Sequence, residues 1–157
     1  MPPQLLFDIS KVNFEAVLID QAAIRETNPQ RGDMEHLNGL VMMDLEKGEA
    51  IGFKDVKADE FWVAGHIPGR PLLPGVLMIE AAAQLASFVA RHMCGWSGFI
   101  GFGGVDKVKF RAPVEPGVRL YILAKRLSLR HRRLCCAVQG LVNGNVVFEG
   151  DVVGTQI

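Results

Sequence analysis

The fold is decided by the stretch Val76-Leu77-Met78-Ile79-Glu80-Ala81-Ala82-Ala83-Gln84-Leu85-Ala86-Ser87-Phe88-Val89-Ala90-Arg91-His92. It is rich in strong helix formers, it contains no glycine or proline, and Gly95 follows as a stop signal. Only Glu80, Gln84 and Ser87 interrupt the apolar residues, so no wide polar face remains. We therefore predict a helix that is buried almost all round. A membrane span is disfavoured, because the segment is shorter than the roughly 20 residues required and carries a carboxylate.

The segments on both sides of this helix are predicted to form β-strands. Before it, two β-prone runs flank Lys47-Gly48 and predict a hairpin. After it, the last two of four runs flank Asn143-Gly144, a pair that favours a type I′ turn. The predicted strands are Gly39–Glu46, Glu49–Val56, Phe99–Phe110, Val118–Leu129, Leu134–Val142 and Val146–Val153. This order predicts one α+β domain, residues 1–157, in which an antiparallel sheet wraps one long central helix. A weak helical pattern spans Phe14–Glu26.

Composition and charge exclude several classes of function. The 17 basic and 17 acidic residues balance, so no global positive field favours nucleic acid. The first residues lack a basic segment and a long apolar run, which predicts a cytoplasmic protein without a secretory signal. The adjacent Cys135 and Cys136 would face opposite sides of a strand, as expected for reduced thiols. No cysteine or histidine spacing indicates a metal site.

Glu80 is the first candidate for chemistry, because a carboxylate in an apolar helix is costly without partners. Gln84 lies one turn later on the same face and is expected to hold the carboxyl by a hydrogen bond. A rim position that reaches water would also explain Glu80 without any chemistry. His66 stands beside Gly65 at the start of a proline-rich loop, a rigid mount that suits a base. Taken singly, it is better explained as an ordinary loop histidine.

Pro74, Gly75 and Val76 mark the point where the proline-rich loop becomes helix. The first turn of a helix has unpaired N–H groups and the positive end of the helix dipole, which together suit a developing oxyanion. Gly75 has no Cβ, so a ligand carbonyl is expected to approach its backbone closely. A helix that simply starts after Pro-Gly would explain the same residues without a ligand.

The run Gly65-His66-Ile67-Pro68-Gly69-Arg70-Pro71-Leu72-Leu73-Pro74-Gly75, together with Glu80 and Gln84 in register, resembles the FabZ-type 3-hydroxyacyl-[acyl-carrier-protein] dehydratases. Further on, Val105-Asp106-Lys107-Val108-Lys109-Phe110-Arg111-Ala112-Pro113-Val114 and Pro116-Gly117 look like the family's strand after the helix. The resemblance covers roughly Met42 to Val153. Two segments depart from the family's pattern: Arg31–Leu40, which replaces an Arg-Tyr-Pro-Phe run, and Trp62–Ala64, which replaces Phe-Phe-Gln.

The resemblance implies a hot-dog fold and a homodimer with active sites at the interface, often assembled as three dimers in a hexamer. It implies that His66 of one subunit removes the C2 proton of a 3-hydroxyacyl thioester and that Glu80 of the other protonates the departing hydroxyl. Pro74, Gly75, Val76, Gln84 and Phe110 would contact the substrate, and Phe102 and Phe110 are the guesses for an acyl tunnel. No cofactor is implied beyond the phosphopantetheine arm of an acyl carrier protein, the expected partner.

Other functions remain open at the level of sequence. A hot-dog thioesterase, an acyl-CoA hydratase and a non-catalytic acyl-binding subunit would share the fold. Glutamate at position 80, where FabA-type dehydratase-isomerases have aspartate, favours dehydration without isomerisation. Seven basic residues form either a binding surface for an acidic carrier protein or an ordinary solvated strand surface. These are Lys107, Lys109, Arg111, Arg126, Arg130, Arg132 and Arg133.

Overall fold

Seven strands form one antiparallel sheet in the computed structural model, which describes residues 3–157, two fewer than the predicted domain. In chain order these are β1 (Ile19–Asp20), β2 (Gly39–Asp44), β3 (Glu49–Asp55), β4 (Ile100–Phe110), β5 (Arg119–Arg130), β6 (Arg133–Val142) and β7 (Asn145–Gln156). Their order across the sheet is β1-β2-β3-β5-β6-β7-β4. With the helices α1 (Gln21–Arg25) and α2 (Gly75–Cys94), this confirms the predicted α+β class.

The central helix α2 begins directly after Pro74 and ends at Gly95, whose φ of 66° terminates it in the left-handed conformation. Leu85 and Phe88 are almost completely inaccessible and belong to the main core. The predicted burial is confirmed for most of the helix surface, whereas the face that carries Glu80, Ala83 and Ser87 is half-buried. Within residues 3–157, no helix is both long and apolar enough to cross a membrane.

Two turns shape the sheet around the helix. Asn143 and Gly144 have φ values of 51° and 79°, as the predicted type I′ hairpin between β6 and β7 requires. β2 and β3 pair across Asp44↔Glu49, which confirms the predicted first hairpin. β4 pairs only with β7 among the described strands, so the strand after the helix is an edge.

The predicted helical run at Phe14–Glu26 is wrong for most of its length. Only Gln21–Arg25 is helical, and Asp20 caps it by accepting a hydrogen bond from the Ala23 amide at 2.9 Å. Phe14 instead packs edge-on against Tyr121, with 4.9 Å between the ring centroids. Its apolar side chain contacts a distant strand, an interaction that local periodicity does not reveal.

The N-terminal segment, residues 3–18, crosses the outer face of the sheet without regular secondary structure. Gln139 of β6 holds it at both sides: its Oε1 accepts from the Leu6 amide at 3.0 Å, and its Nε2 donates to the Gln4 carbonyl at 2.8 Å. The segment's apolar side chains pack on a second core formed by Val41, Ile51, Phe53, Leu123 and Leu141. This outer face is thus covered by the chain itself.

Candidate active site

Glu80 lies on the second turn of α2, half-buried, with one carboxyl oxygen fixed by Gln84. The distance from Gln84 Nε2 to Glu80 Oε1 is 2.9 Å. The predicted hydrogen bond between these side chains, four residues apart on one helix face, is therefore present. It orients the carboxyl group relative to the helix.

Gln84 is itself held by a complete set of hydrogen bonds. Its Oε1 accepts from the amides of His36 and Leu37 at 3.0 and 3.2 Å, and its Nε2 also donates to the Met34 carbonyl at 2.7 Å. An amide side chain has two donor hydrogens and an acceptor oxygen with two lone pairs, so all of its capacity is used. Gln84 therefore positions Glu80 and leaves no group free for the substrate hydrogen bond that a binding role would use.

A cavity of about 240 Å³ runs beside α2, between the helix and strands β4, β6 and β7. Glu80 and Gln84 line it from the helix, and its wall includes Phe102. Most of the other lining side chains are apolar, among them Ala83, Ala86, Ala90, Ile100, Leu134, Val152 and Val153. The carboxyl of Glu80 thus meets a mainly apolar space that suits a hydrocarbon chain.

His66 lies in the loop before α2, is exposed, and does not line this cavity. Its Nδ1 is 2.7 Å from the Leu72 carbonyl oxygen. Because a carbonyl only accepts, Nδ1 must carry the proton in the neutral ring, which leaves Nε2 as the acceptor. The backbone closes the same loop, since the Leu72 amide donates to the His66 carbonyl at 2.8 Å. The imidazole is therefore prepared to act as a base through Nε2.

The start of α2 presents the amides of Gly75 and Val76 ahead of the intrahelical hydrogen bonds, and no side chain among the described residues caps them. Pro74 precedes them as N-cap and accepts from the Leu77 amide at 2.9 Å. Glycine at position 75 also has a packing reason that the sequence does not show. A Cβ there would lie 2.7 Å from Cε1 of Phe110, so the glycine makes room for a ring of β4.

Phe110 therefore packs on the helix start and does not line the cavity beside Glu80. It also lies near Phe148, with ring centroids 6.5 Å apart, yet its side chain stays 51% exposed. Val76 is exposed as well. Of the two residues expected in an acyl tunnel, Phe102 lines the cavity in this chain and Phe110 does not.

A buried ionic cluster lies behind Gln84, and the sequence analysis missed it. Lys54 Nζ is 2.6 Å from Glu60 Oε1 and 3.2 Å from His36 Nδ1. Burial, and then the charge of Lys54, lower the pKa of His36 to about 4. Since an ammonium only donates, Nδ1 of His36 accepts and Nε2 carries the proton. The one signal in the sequence was a lysine inside the otherwise apolar run of β3, where a charge needs a partner.

Apolar side chains are exposed along the β4 edge and around the His66 loop. Phe102, Val105 and Phe110 are each about half accessible, and Ile67 and Val76 near the loop are also exposed. Several large exposed apolar side chains on one edge strand are typical of an interaction surface. Because β4 is an edge strand, its backbone is also open to pairing.

The basic residues considered for carrier binding divide into two groups. Arg111 pairs with Glu149 at 2.8 Å, and Arg126 contacts the Met93 sulfur at 3.1 Å. The other five have no salt-bridge partner among residues 3–157: Lys107, Lys109, Arg130, Arg132 and Arg133. All five are exposed.

The fold is that of the hot-dog proteins, as predicted. The chain is similar in structure to the dehydratase heterocomplex ApeI:P from Xenorhabdus doucetiae, with a TM-score of 0.72, 16% identity, and coverage of 85% of this chain and 90% of that one. A hypothetical thioesterase from Streptococcus pneumoniae, solved with coenzyme A, has a TM-score of 0.57, 11% identity, and coverage of 75% and 84%. At these identities the likeness concerns the fold alone.

Membership of a family comes from the sequence match. Residues 28–151 match the FabA-like domain family, and the chain belongs to it. The predicted relation to the FabA and FabZ proteins is thereby confirmed. The match includes His66, Glu80 and the cavity-lining face of α2.

Proposed function

We propose that this protein is a 3-hydroxyacyl thioester dehydratase of fatty acid synthesis that acts on (3R)-3-hydroxyacyl chains bound to an acyl carrier protein. The observation that carries the proposal is the carboxyl of Glu80, fixed by Gln84 at 2.9 Å and facing a mainly apolar cavity. Dehydration needs an acid at the 3-hydroxyl and a base at C2. Glu80 fits the first role, and Nε2 of His66 fits the second.

The proposed reaction is a proton transfer at each end of one carbon–carbon bond. His66 Nε2 takes the C2 proton, and the negative charge that develops on the thioester oxygen is stabilised by the Gly75 amide at the start of α2. The C3–O bond then breaks as Glu80, in its protonated form, gives its proton to the hydroxyl, which leaves as water. The electron pair of the C2–H bond forms the C2–C3 double bond of a trans-2-enoyl thioester.

We further propose that each active site combines two subunits of a homodimer. In one chain, Glu80 lines the cavity whereas His66 lies outside it, and apolar residues of β4 are exposed. Pairing of two β4 edges about a two-fold axis would cover these residues. It would bring His66 of one subunit to Glu80 of the other. A trimer of such dimers stays a prediction.

Five exposed basic residues support an acidic carrier protein as the partner: Lys107, Lys109, Arg130, Arg132 and Arg133. Cationic side chains attract the acidic surface of a carrier and the phosphate of its phosphopantetheine arm, and rim charges of this kind act mainly on the association rate.

The test is the absorbance of the enoyl thioester formed from a 3-hydroxyacyl-carrier substrate. Turnover by the wild-type protein and a loss of roughly 100-fold or more in His66→Ala and in Glu80→Gln would support both roles. The matched controls are His131→Ala and Glu115→Gln, which change exposed residues outside the site. Absence of turnover by the wild type across several chain lengths would contradict the proposal.

The shared site has its own test, in which the two inactive variants are mixed, dissociated and reassociated. If His66 and Glu80 come from different subunits, a mixed dimer contains one intact site, and an equal mixture recovers roughly a quarter of the wild-type activity. If both residues of a site come from one subunit, the mixture stays inactive. Wild-type protein treated in the same way measures the loss caused by reassociation itself.

A further inference from the structure

The cavity beside α2 has a cationic end that the proposed reaction does not use. Arg91 lines the cavity, and its Nη2 donates to the Gly98 carbonyl at 2.8 Å. Its Nε–H is buried and has no acceptor among residues 3–157. Buried donors in folded proteins almost always have partners, and an unpaired N–H on a charged group is especially costly. Arg91 is therefore a cation of the cavity wall whose hydrogen-bonding capacity is not fully used within residues 3–157.

The spacing along α2 places this donor at the opposite end from the acid. The side chains that line the cavity from the helix recur at spacings of three or four residues along one side of it: Glu80, Ala83, Gln84, Ala86, Ser87, Ala90 and Arg91. Eleven residues separate the first from the last, which corresponds to roughly 16 Å of helix rise. A chain with its 3-hydroxyl at Glu80 and its tail extended along this face reaches Arg91.

The two charged side chains of the cavity wall lie at opposite ends of the cavity. Among residues 3–157, Glu80 is the only acid that lines the cavity, and Arg91 is the only base. The side chains between them are mostly small or apolar, as a hydrocarbon segment requires. A second unpaired polar atom, Gln30 Oε1, belongs to the Glu80 end, because Gln30 also lines a smaller pocket with Gln84. The far end therefore presents a cation alone.

We propose that this cavity accepts acyl chains that end in a carboxylate, so that the substrates include thioesters of 3-hydroxy dicarboxylic acids, with Arg91 as the specificity-determining residue. The inference rests on the proposed dehydratase function. A guanidinium binds a carboxylate by charge-assisted hydrogen bonds. A methyl terminus offers the guanidinium no acceptor. Sites built around such a donor discriminate strongly against ligands that lack the acceptor.

The experiment compares two synthetic 3-hydroxyacyl pantetheine thioesters of equal length, one ending in a methyl group and one in a carboxylate. For the wild-type protein we expect kcat/KM to be at least roughly tenfold higher with the carboxylate. In Arg91→Met this ratio falls to about one or below, whereas Lys47→Met, which changes an exposed cation with no role in the proposed site, keeps it. Because the ratio is taken within one preparation, partial misfolding of a variant does not alter it.

The outcomes separate this inference from the function on which it rests. Turnover of both thioesters with equal efficiency, or a preference for the methyl terminus, would overturn the role of Arg91 and leave the dehydratase intact. A preference that persists in Arg91→Met would do the same. If the wild-type protein converts neither of the two thioesters and no carrier-bound substrate, both the role of Arg91 and the dehydratase function are overturned.

Discussion

The two residues proposed to transfer protons are held in opposite ways. Glu80 is half-buried on α2 and is fixed by Gln84, whose amide makes four hydrogen bonds within the chain. His66 is exposed, with one hydrogen bond from its ring to the Leu72 carbonyl. The acid is thus oriented by the folded subunit alone, whereas the base is oriented only within its loop. In the proposed dimer, the two residues meet where the β4 edges of two subunits pair.

A substitution on the β4 edge is expected to have the largest effect on the proposed site. We expect Val105→Glu to lower dehydratase activity by roughly 1,000-fold, because two carboxylates would face each other where two edges pair and each site would lose one proton-transfer group. Sedimentation should show a monomer with unchanged far-ultraviolet circular dichroism. Leu127→Glu places the same charge on an equally exposed position of β5 and should leave the dimer intact. A dimeric, active Val105→Glu protein would contradict the edge pairing.

Substitution of Gln84 is expected to have the next largest effect, on both stability and activity. Gln84→Ala leaves the amides of His36 and Leu37 and the Met34 carbonyl without their partner, which should lower the free energy of unfolding by about 3 kcal/mol. Activity per folded molecule should also fall, because Glu80 loses the bond that orients it. Gln139→Ala is a matched control, since Gln139 is an equally buried glutamine on the outer face. It should cost stability and leave kcat unchanged; equal kcat in both variants would contradict the positioning role.

The smallest expected effect concerns His36, whose contribution to the free energy of unfolding depends on pH. Its pKa is lowered from 6.5 to about 4 in the folded protein, so the unfolded chain takes up the proton first as pH falls. The stability associated with the neutral ring is complete above pH 6.5 and is lost as pH falls towards 4. Between pH 7 and pH 5 this amounts to about 2 kcal/mol.

Urea unfolding at pH 7 and at pH 5 measures this difference in the free energy of unfolding. His36→Gln keeps an acceptor for Lys54 and should show a smaller difference between pH 7 and pH 5 than the wild type. His131→Asn should show the wild-type difference, because His131 is exposed and asparagine tolerates its φ of 51°. An unchanged difference in His36→Gln would show that another group carries the pH dependence.

The sequence predicts the elements whose signals are local. The helix beginning at Gly75, the Asn143-Gly144 turn and the Glu80–Gln84 pair each follow from spacing within a few residues. The buried position of His36 does not, since it depends on contacts with residues 18 and 48 positions away. The packing of Phe110 on Gly75 is likewise long-range. Contacts of this kind are set by the closure of the sheet around α2, which no local pattern encodes.

The N-terminal segment has a consequence for the behaviour of the protein in solution. Its apolar side chains cover a patch of sheet that includes Phe53 and Leu123, and Gln139 anchors it at Gln4 and Leu6. Without residues 3–18, this apolar patch would be exposed to solvent, and exposed apolar patches promote aggregation. The segment thus keeps this apolar surface away from solvent, and a protein without it should aggregate on concentration even where His66 and Glu80 are intact.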